Sequence, residues 1–455
     1  MRPSTNILEL IGNTPIIQID CFDTGKCSLF LKLENQNPGG SIKDRVALKM
    51  IEVAEQEGKL KPGGTIVEAT AGNTGLGLAL VAAQKGYRLI LVIPDKMSKE
   101  KTFHLRAMGA QIVLTRSDVG KGHPQYYQDL AESIAKRENA FYVNQFGNAA
   151  NPLAHETSTG PEIWKQMDGK LDAVVCGVGS SGTITGLGRY FEKTAPHVEM
   201  VLADPAGSIL VHYIQTGEVL TESGSWLVEG IGEDFIPSIA ELKRVKHGYS
   251  ISDQESFEVA RTLLRKAGVL AGSSTGTLLA GALRYCREQT EPKRVLTFAC
   301  DSGNKYLSKM FDDFWMFEHG FIKRQMTGDL RDVISRRHEE GATVTVAPGD
   351  TLKTAAARMK LYDISQLPVV EGEKIVGLVD ESDLLLALYR DKSLMQRPVR
   401  DVMTQKLKTV QPNTDLELLL KIFDEGFVVI VEDQGRFLGL ITRMDLINYL
   451  RLKLE

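Results

Sequence analysis

The run Asn37-Pro38-Gly39-Gly40-Ser41-Ile42-Lys43-Asp44-Arg45 places one lysine at the head of a segment in which Val46, Ala47, Met50, Ile51 and Ala54 recur at helical spacing. An amine in a first helical turn lies near the positive end of the helix dipole, which favours the neutral form that condenses with an aldehyde. A lone lysine after a turn is more often solvated, so Lys43 is a candidate only if its neighbours supply partners. Two loops can do so. Gly177-Val178-Gly179-Ser180-Ser181-Gly182-Thr183 joins a strand to a helix, and its N–H groups and hydroxyls either surround a phosphate or form a flexible turn. It matches neither the triphosphate-binding nor the dinucleotide fingerprint. Thr70-Ala71-Gly72-Asn73-Thr74-Gly75 offers an amide, two hydroxyls and backbone donors, which suit a carboxylate or a helix cap equally well.

The elements that position these loops alternate. Thr65–Glu68, Leu76–Gln84 and, after Gly86, a strand ending at Pro94 form one strand–helix–strand unit, and Ala173–Val178, Ile184–Lys193 and Val198–Ala203 form another. A further strand is expected at Arg294–Ala299. Such alternation implies an α/β domain with a mostly parallel sheet covered on both faces. We place it at residues 1–322.

Beyond it the pattern changes. Val344–Val346, a helix opened by Asp350-Thr351-Leu352, strands at Leu367–Val370 and Gly377–Val379 and a helix from Ser382 recur in order as Lys408–Val410, Thr414-Asp415-Leu416, Val428–Val431, Gly439–Ile441 and a helix from Met444. Two β-α-β-β-α repeats, 338–392 and 396–455, each too small to bury a core alone, are expected to pack as one module after a polar linker at 323–337.

With 455 residues, 43% hydrophobic and 25% charged, the chain can fill more than one core. A net charge of −4 leaves no basic footprint for nucleic acid or anionic lipid, so small-molecule partners are expected. Met1–Pro15 lacks a signal-peptide pattern, and apolar runs such as Leu89–Ile93 are too short to cross a bilayer. The five cysteines are scattered without metal-ligand spacing, so reduced thiols, no metal site and a cytoplasmic location are expected.

In this order the loops resemble those of the fold type II pyridoxal phosphate enzymes, over roughly residues 4 to 320, and the segments Glu229–Pro237, Ala203–Ser208 and Asp312–Met316 are similar to those of the cystathionine β-synthases. The resemblance implies a tryptophan synthase β-like catalytic domain of two three-layer α/β subdomains. It implies that Lys43 carries pyridoxal 5'-phosphate as a Schiff base, that Asn73 contacts the cofactor's ring oxygen, and that Gly179, Ser180, Ser181, Gly182 and Thr183 hold its phosphate. It further implies that Ser274, within Gly272-Ser273-Ser274-Thr275-Gly276, faces the pyridine nitrogen and that Thr70, Ala71, Thr74, Gln145 and Gly230 face the substrate. A neutral hydroxyl at the ring nitrogen weakens the electron sink and favours loss of a β-substituent over transamination.

The implied reaction joins L-serine, or an activated serine such as O-acetylserine, to L-homocysteine, with hydrogen sulfide as a side product when cysteine is the substrate. A cysteine synthase using sulfide is the alternative. Phe146, where the cystathionine β-synthases have tyrosine, and Ala71, in place of serine, are departures, and Phe146 is the residue cysteine synthases tend to have. A nucleotide-sensing protein with a silent catalytic domain is a third reading, disfavoured because Lys43, Asn73 and Ser274 are all in place. No haem is expected, since no histidine precedes His104. The C-terminal repeats resemble cystathionine β-synthase-type regulatory modules, which implies an adenosyl ligand such as S-adenosylmethionine, AMP or ATP. Asp445 can accept from ribose hydroxyls beside Thr442, or the two can form a helix capping box. In the first copy Asp380 replaces the threonine and would repel a phosphate. The resemblance also implies a homodimer or larger homo-oligomer.

Overall fold

The computed structural model describes residues 3–70, 72–95, 99–120, 122–220, 222–390 and 392–454. Two compact units divide at Phe311 and Asp312.

The first unit holds two sheets. β1 (Ile16–Ile19), β2 (Ser28–Lys32), β7 (Ala173–Cys176), β8 (Glu199–Pro205), β9 (Val245–Ile251) and β10 (Arg294–Phe298) form a six-stranded sheet in the order β1-β2-β10-β7-β8-β9. β3 (Thr65–Ala69), β4 (Arg88–Pro94), β5 (Gln111–Thr115) and β6 (Phe141–Tyr142) form a second, in the order β5-β4-β3-β6. Every pair is parallel except β1 with β2. Parallel strands need crossover helices, and those helices bury the sheet faces. Val67, Ala69, Ile90 and Val92 accordingly fill one core and Leu29, Leu31, Val175 and Val201 another.

Both expected strand–helix–strand units form, with helices at Asn73–Lys85 and Gly182–Thr194. The helix Lys43–Gln56 buries Val46, Ala47, Met50, Ile51 and Ala54, the five residues whose spacing marked it. Each large apolar side chain so buried contributes about 1.5–3 kcal/mol.

In the second unit the first repeat contains the helix Leu352–Tyr362, β11 (Gln366–Glu371), β12 (Lys374–Asp380) and the helix Glu381–Arg390. The second contains β13 (Thr409–Val410), the helix Leu416–Asp424, β14 (Val429–Asp433), β15 (Arg436–Ile441) and the helix Arg443–Leu454. Ile375 of the first repeat shares a cluster with Ile430 and Phe437 of the second, so the two pack as one module.

Two expectations need correction. Val344–Val346 does not form a strand, and only an isolated bridge joins Val346 to Val369. The polar stretch 323–337 is not a solvated tether, because Leu330, Val333 and Ile334 are buried with Val410, Leu419 and Ile441 in the core of the second repeat. Its three apolar side chains outweigh the charge that surrounds them.

Candidate active site

The turn before Lys43 is set by its own residues. Gly40 adopts φ +78°, open to glycine at little cost, and Asp44 Oδ2 accepts from the Gly39 N–H at 2.5 Å. The helix then begins at Lys43, whose N–H donates to Ser41 Oγ at 3.2 Å. Two residues on, Arg45 donates through Nε and Nη2 to both oxygens of Glu34, each at 2.8 Å, and through Nη1 and Nη2 to Glu162 at 2.9 Å. Lys32 completes this buried ion cluster at 2.5 Å from Glu162. Paired forks of this kind fix geometry as well as charge, and removing one partner would strand the rest.

Lys43 opens into a cavity of ≈ 1060 Å³. Burial pulls its amine below the ordinary lysine range, and the nearby Asp301 and Glu233 carboxylates act in the opposite direction. The cavity wall brings together every described residue singled out from the catalytic part of the sequence: Thr70, Asn73, Thr74, Gln145, Gly179–Thr183, Gly230 and Ser274. Ala71 lies outside the described residues.

The glycine-rich loop leaves β7 and enters the helix Gly182–Thr194, with Ser181 at φ +67° as the N-cap. Asn151 Nδ2 donates to Ser180 Oγ at 2.9 Å, and a Cβ on Gly182 would lie 1.8 Å from Asn151 Oδ1. Only glycine permits that approach. Thr183 Oγ1 lies 3.2 Å from His155 Nε2, and His155 Nδ1 lies 3.0 Å from Thr159 Oγ1, across a π-helical turn at His155–Thr159. Burial, helped by the Lys43 and Arg45 charges, holds His155 neutral. Ser181 Oγ is buried without a hydrogen-bond partner among the described residues, and so is Asn151 Oδ1. Leaving such a hydroxyl unmatched costs about 1–3 kcal/mol, which a ligand oxygen would relieve.

On the opposite side, Thr74 Oγ1 donates to Gln145 Oε1 at 2.7 Å, and Thr70 Oγ1 accepts from the Gly72 N–H at 3.3 Å. Asn73 begins the helix Asn73–Lys85, with its Oδ1 accepting from Lys305 Nζ at 2.7 Å. Ser274 lies in the first turn of the helix Ser273–Glu288 and is buried. Its hydroxyl is hydrogen-bonded to the Cys300 thiol, which burial and the Asp301 charge push up to about 12. Gly230 adopts φ +87° and directs its carbonyl at Gly179, where a Cβ would lie 2.6 Å away. Phe146, the departure noted above, packs against Phe235 with ring centroids 5.5 Å apart.

Asn151, His155, Asp301 and Lys305 were not singled out from the sequence. Each reaches the site from a segment with no chemistry-bearing run of its own. Asp301, at the carboxyl end of a predicted strand, carried the one available signal.

In the second unit Thr442 and Asp445 form the reciprocal cap. Thr442 N and Oγ1 donate to Asp445 Oδ2 at 2.7 and 2.6 Å, and the Asp445 N–H returns to Thr442 Oγ1 at 3.2 Å. Ser335 Oγ donates to the other oxygen, Oδ1, at 2.5 Å. In the first repeat Asp380 and Asp383 cap each other's N–H groups at 2.9 and 3.1 Å.

A lysine at a helix start and a glycine-rich anion cradle that share one cavity of the α/β unit define an enzyme class that holds a phosphorylated aldehyde. The chain belongs to the pyridoxal-phosphate dependent enzyme family, whose pattern matches residues 7–301, and it carries two CBS domains at 330–390 and 399–452. Within that family it falls with the cystathionine β-synthases. It is 35% identical to the cystathionine beta-synthase of Dictyostelium discoideum over 98% of this chain and 92% of that protein. It is 38% identical to that of Mus musculus, over 94% and 78%. A cysteine synthase of Staphylococcus aureus is 39% identical over 69% of this chain and 99% of its own length. Among solved structures, O-ureido-L-serine synthase matches with a TM-score of 0.64 and 33% identity, covering 69% of this chain and 96% of that one. The O-acetylserine dependent cystathionine beta-synthase of Helicobacter pylori matches at 0.62 and 35%, over 68% and 99%.

The family implies pyridoxal phosphate, and the residues present fit it. The unmatched Ser181 hydroxyl lies in an anion cradle, and an amine held low by burial faces the same cavity.

Proposed function

We propose that this chain catalyses a β-replacement that joins L-serine, or an activated serine such as O-acetylserine, to L-homocysteine to form L-cystathionine. Hydrogen sulfide is released as a side activity when cysteine is the substrate. The observation that carries the reading is the shared cavity, in which the buried Lys43 amine faces the Ser180–Thr183 cradle, the Thr70–Thr74 loop and Ser274.

Bound pyridoxal phosphate supplies the electron sink that acidifies the substrate's Cα–H. Lys43 would hold the cofactor, and its amine, which burial pulls below the ordinary lysine range, is the base placed to take the α-proton. The Gly179–Thr183 N–H groups and the Ser180, Ser181 and Thr183 hydroxyls hold the phosphate. Thr70, Thr74 and Gln145 would take the substrate carboxylate in the cavity that Gly230 also lines, and Ala71, outside the described residues, is retained with them. Ser274 would offer the bound ring an uncharged hydroxyl rather than a carboxylate, which would weaken the sink and favour loss of the β-group. The thiol of homocysteine would add within the same cavity.

Likeness to cystathionine β-synthases over nearly the full chain supports homocysteine as acceptor, whereas the cysteine synthase relative matches 69% of it. Phe146 and the Helicobacter pylori neighbour's name favour an activated donor. We keep Cys21 and Cys27 as ordinary thiols and propose no haem. Among the described residues no helix is long and apolar enough to cross a membrane. For an adenosyl ligand we retain Thr442 and Asp445, with Ser335 as the group it would displace. The exposed Leu385, Tyr389, Met444 and Ile447 on the C-terminal helices support a homo-oligomer.

The test is product analysis with serine or O-acetylserine, each offered homocysteine and sulfide. Cystathionine should dominate. Sulfide consumed with homocysteine ignored would make the chain a cysteine synthase instead.

A further inference from the structure

Asp301 follows β10 at the carboxyl end of the sheet and has no solvent exposure. Its Oδ2 accepts from Asn73 Nδ2 and from the Tyr306 hydroxyl, both at 2.8 Å. Its Oδ1 is buried without a hydrogen-bond partner among the described residues. The backbone of Asp301 bridges to Ser41, two residues before Lys43, and its carbonyl accepts from Gly272 N at 3.0 Å, two residues before Ser274. Gly272 is required there, since a Cβ would lie 2.0 Å from Asp301 Oδ1. One residue thus ties together the loops that present Lys43, Asn73 and Ser274.

The polar environment gives the Asn73 amide a direction. Lys305 donates to its oxygen and Asp301 accepts from its nitrogen, so one N–H of the amide remains for a ligand. A buried carboxylate also has consequences at a distance. Its charge reaches Lys43 and favours a cation there, against the burial that disfavours one.

We propose that Asp301 is a positioning residue of the cofactor site: it holds the Asn73 amide so that its second N–H faces the cofactor's ring oxygen, and it supplies the buried counter-charge to the Lys43 nitrogen. The proposal rests on the reading of Lys43 and Asn73 as cofactor contacts. Neutralising the carboxylate without changing its shape removes a negative charge from the site. The protonated form of the Lys43-linked nitrogen then becomes harder to keep.

The experiment records the visible band of the cofactor-loaded full chain against pH for wild type, Asp301→Asn, Asp301→Glu and Tyr306→Phe. In Asp301→Asn the spectral transition should move down by about one pH unit or more, the effect of losing one nearby opposite charge. Asp301→Glu keeps the charge and Tyr306→Phe removes a hydrogen bond but no charge, so both should titrate like wild type. Should Asp301→Asn not fold, Asp301→Ser removes the same charge and is read in the same way. A transition unchanged in a loaded, charge-neutral variant overturns the proposal. Absence of any visible band in wild type would instead overturn the cofactor reading on which it rests.

Discussion

The phosphate cradle and the cap of the second C-terminal repeat are made of the same materials, short hydroxyls and backbone N–H groups at a helix start, and they differ in what remains unspent. In the cradle Ser181 Oγ, on the cavity wall, and Asn151 Oδ1 behind it are buried and unmatched among the described residues. At the cap both oxygens of Asp445 are taken, one by Thr442 and the other by Ser335. Folding normally pairs buried polar groups. A hydroxyl left unpaired on a cavity wall therefore marks a place prepared for a ligand, whereas a saturated carboxylate marks one that a ligand must first open.

The sharpest way to break this contrast is to remove the amine on which the cavity converges. Lys43→Ala should lower β-replacement by about 10³-fold or more, measured as product formation with excess cofactor. Retained turnover would move the chemistry elsewhere. Ser181→Ala deletes the unmatched hydroxyl, and cofactor retention on dialysis should weaken by about tenfold, one hydrogen bond to a charged group. Unchanged retention would make that hydroxyl a packing accident. On the other side of the contrast, Ser335→Ala frees Asp445 Oδ1, so calorimetric titration with S-adenosylmethionine, AMP and ATP should show at least one ligand binding about fivefold tighter than to wild type. Equal heats would leave Ser335 with no part in occlusion.

The smallest effect concerns a buried acid behind the substrate loop. Burial raises the Glu68 carboxyl from 4.5 to about 8, against hydrogen bonds from Gln145 and Asn144. A raised carboxyl binds its proton more tightly in the folded state, so its contribution is complete below pH 4.5 and is lost as pH climbs through about 8. Glu68→Gln should flatten that decline in thermal stability across the same window. A wild-type slope persisting in the variant would assign it to another group.

How much of this was readable beforehand follows from range along the chain. Lys43, Asn73 and the Ser180–Thr183 cradle sit at junctions of strand and helix, where apolar spacing changes period and the residue types are telling. Asn151, His155 and Asp301 act through partners 28 to 228 positions away, and no local pattern announces such pairings. The buried acids Glu68 and Asp204 sit inside apolar strands, where the sequence shows a charge but not its burial. Leu330, Val333 and Ile334 were hidden for a simpler reason. They are interleaved with Arg331, Asp332, Ser335, Arg336 and Arg337, and composition over the window outweighed their spacing. The spacing of Thr442 and Asp445 fits a cap and a ribose site equally, and nothing local reveals Ser335, 110 positions away, on the free oxygen.

The account depends most on which amine carries the cofactor. Lys43 is the candidate whose amine desolvation lowers, while Lys305 lies on Asn73 and Lys309 also lines the cavity. Borohydride reduction of the loaded chain, followed by proteolysis and mass spectrometry, fixes the label to one peptide. The pyridoxyl group should be found on Lys43, and a label on Lys305 or Lys309, or none at all, would contradict the assignment.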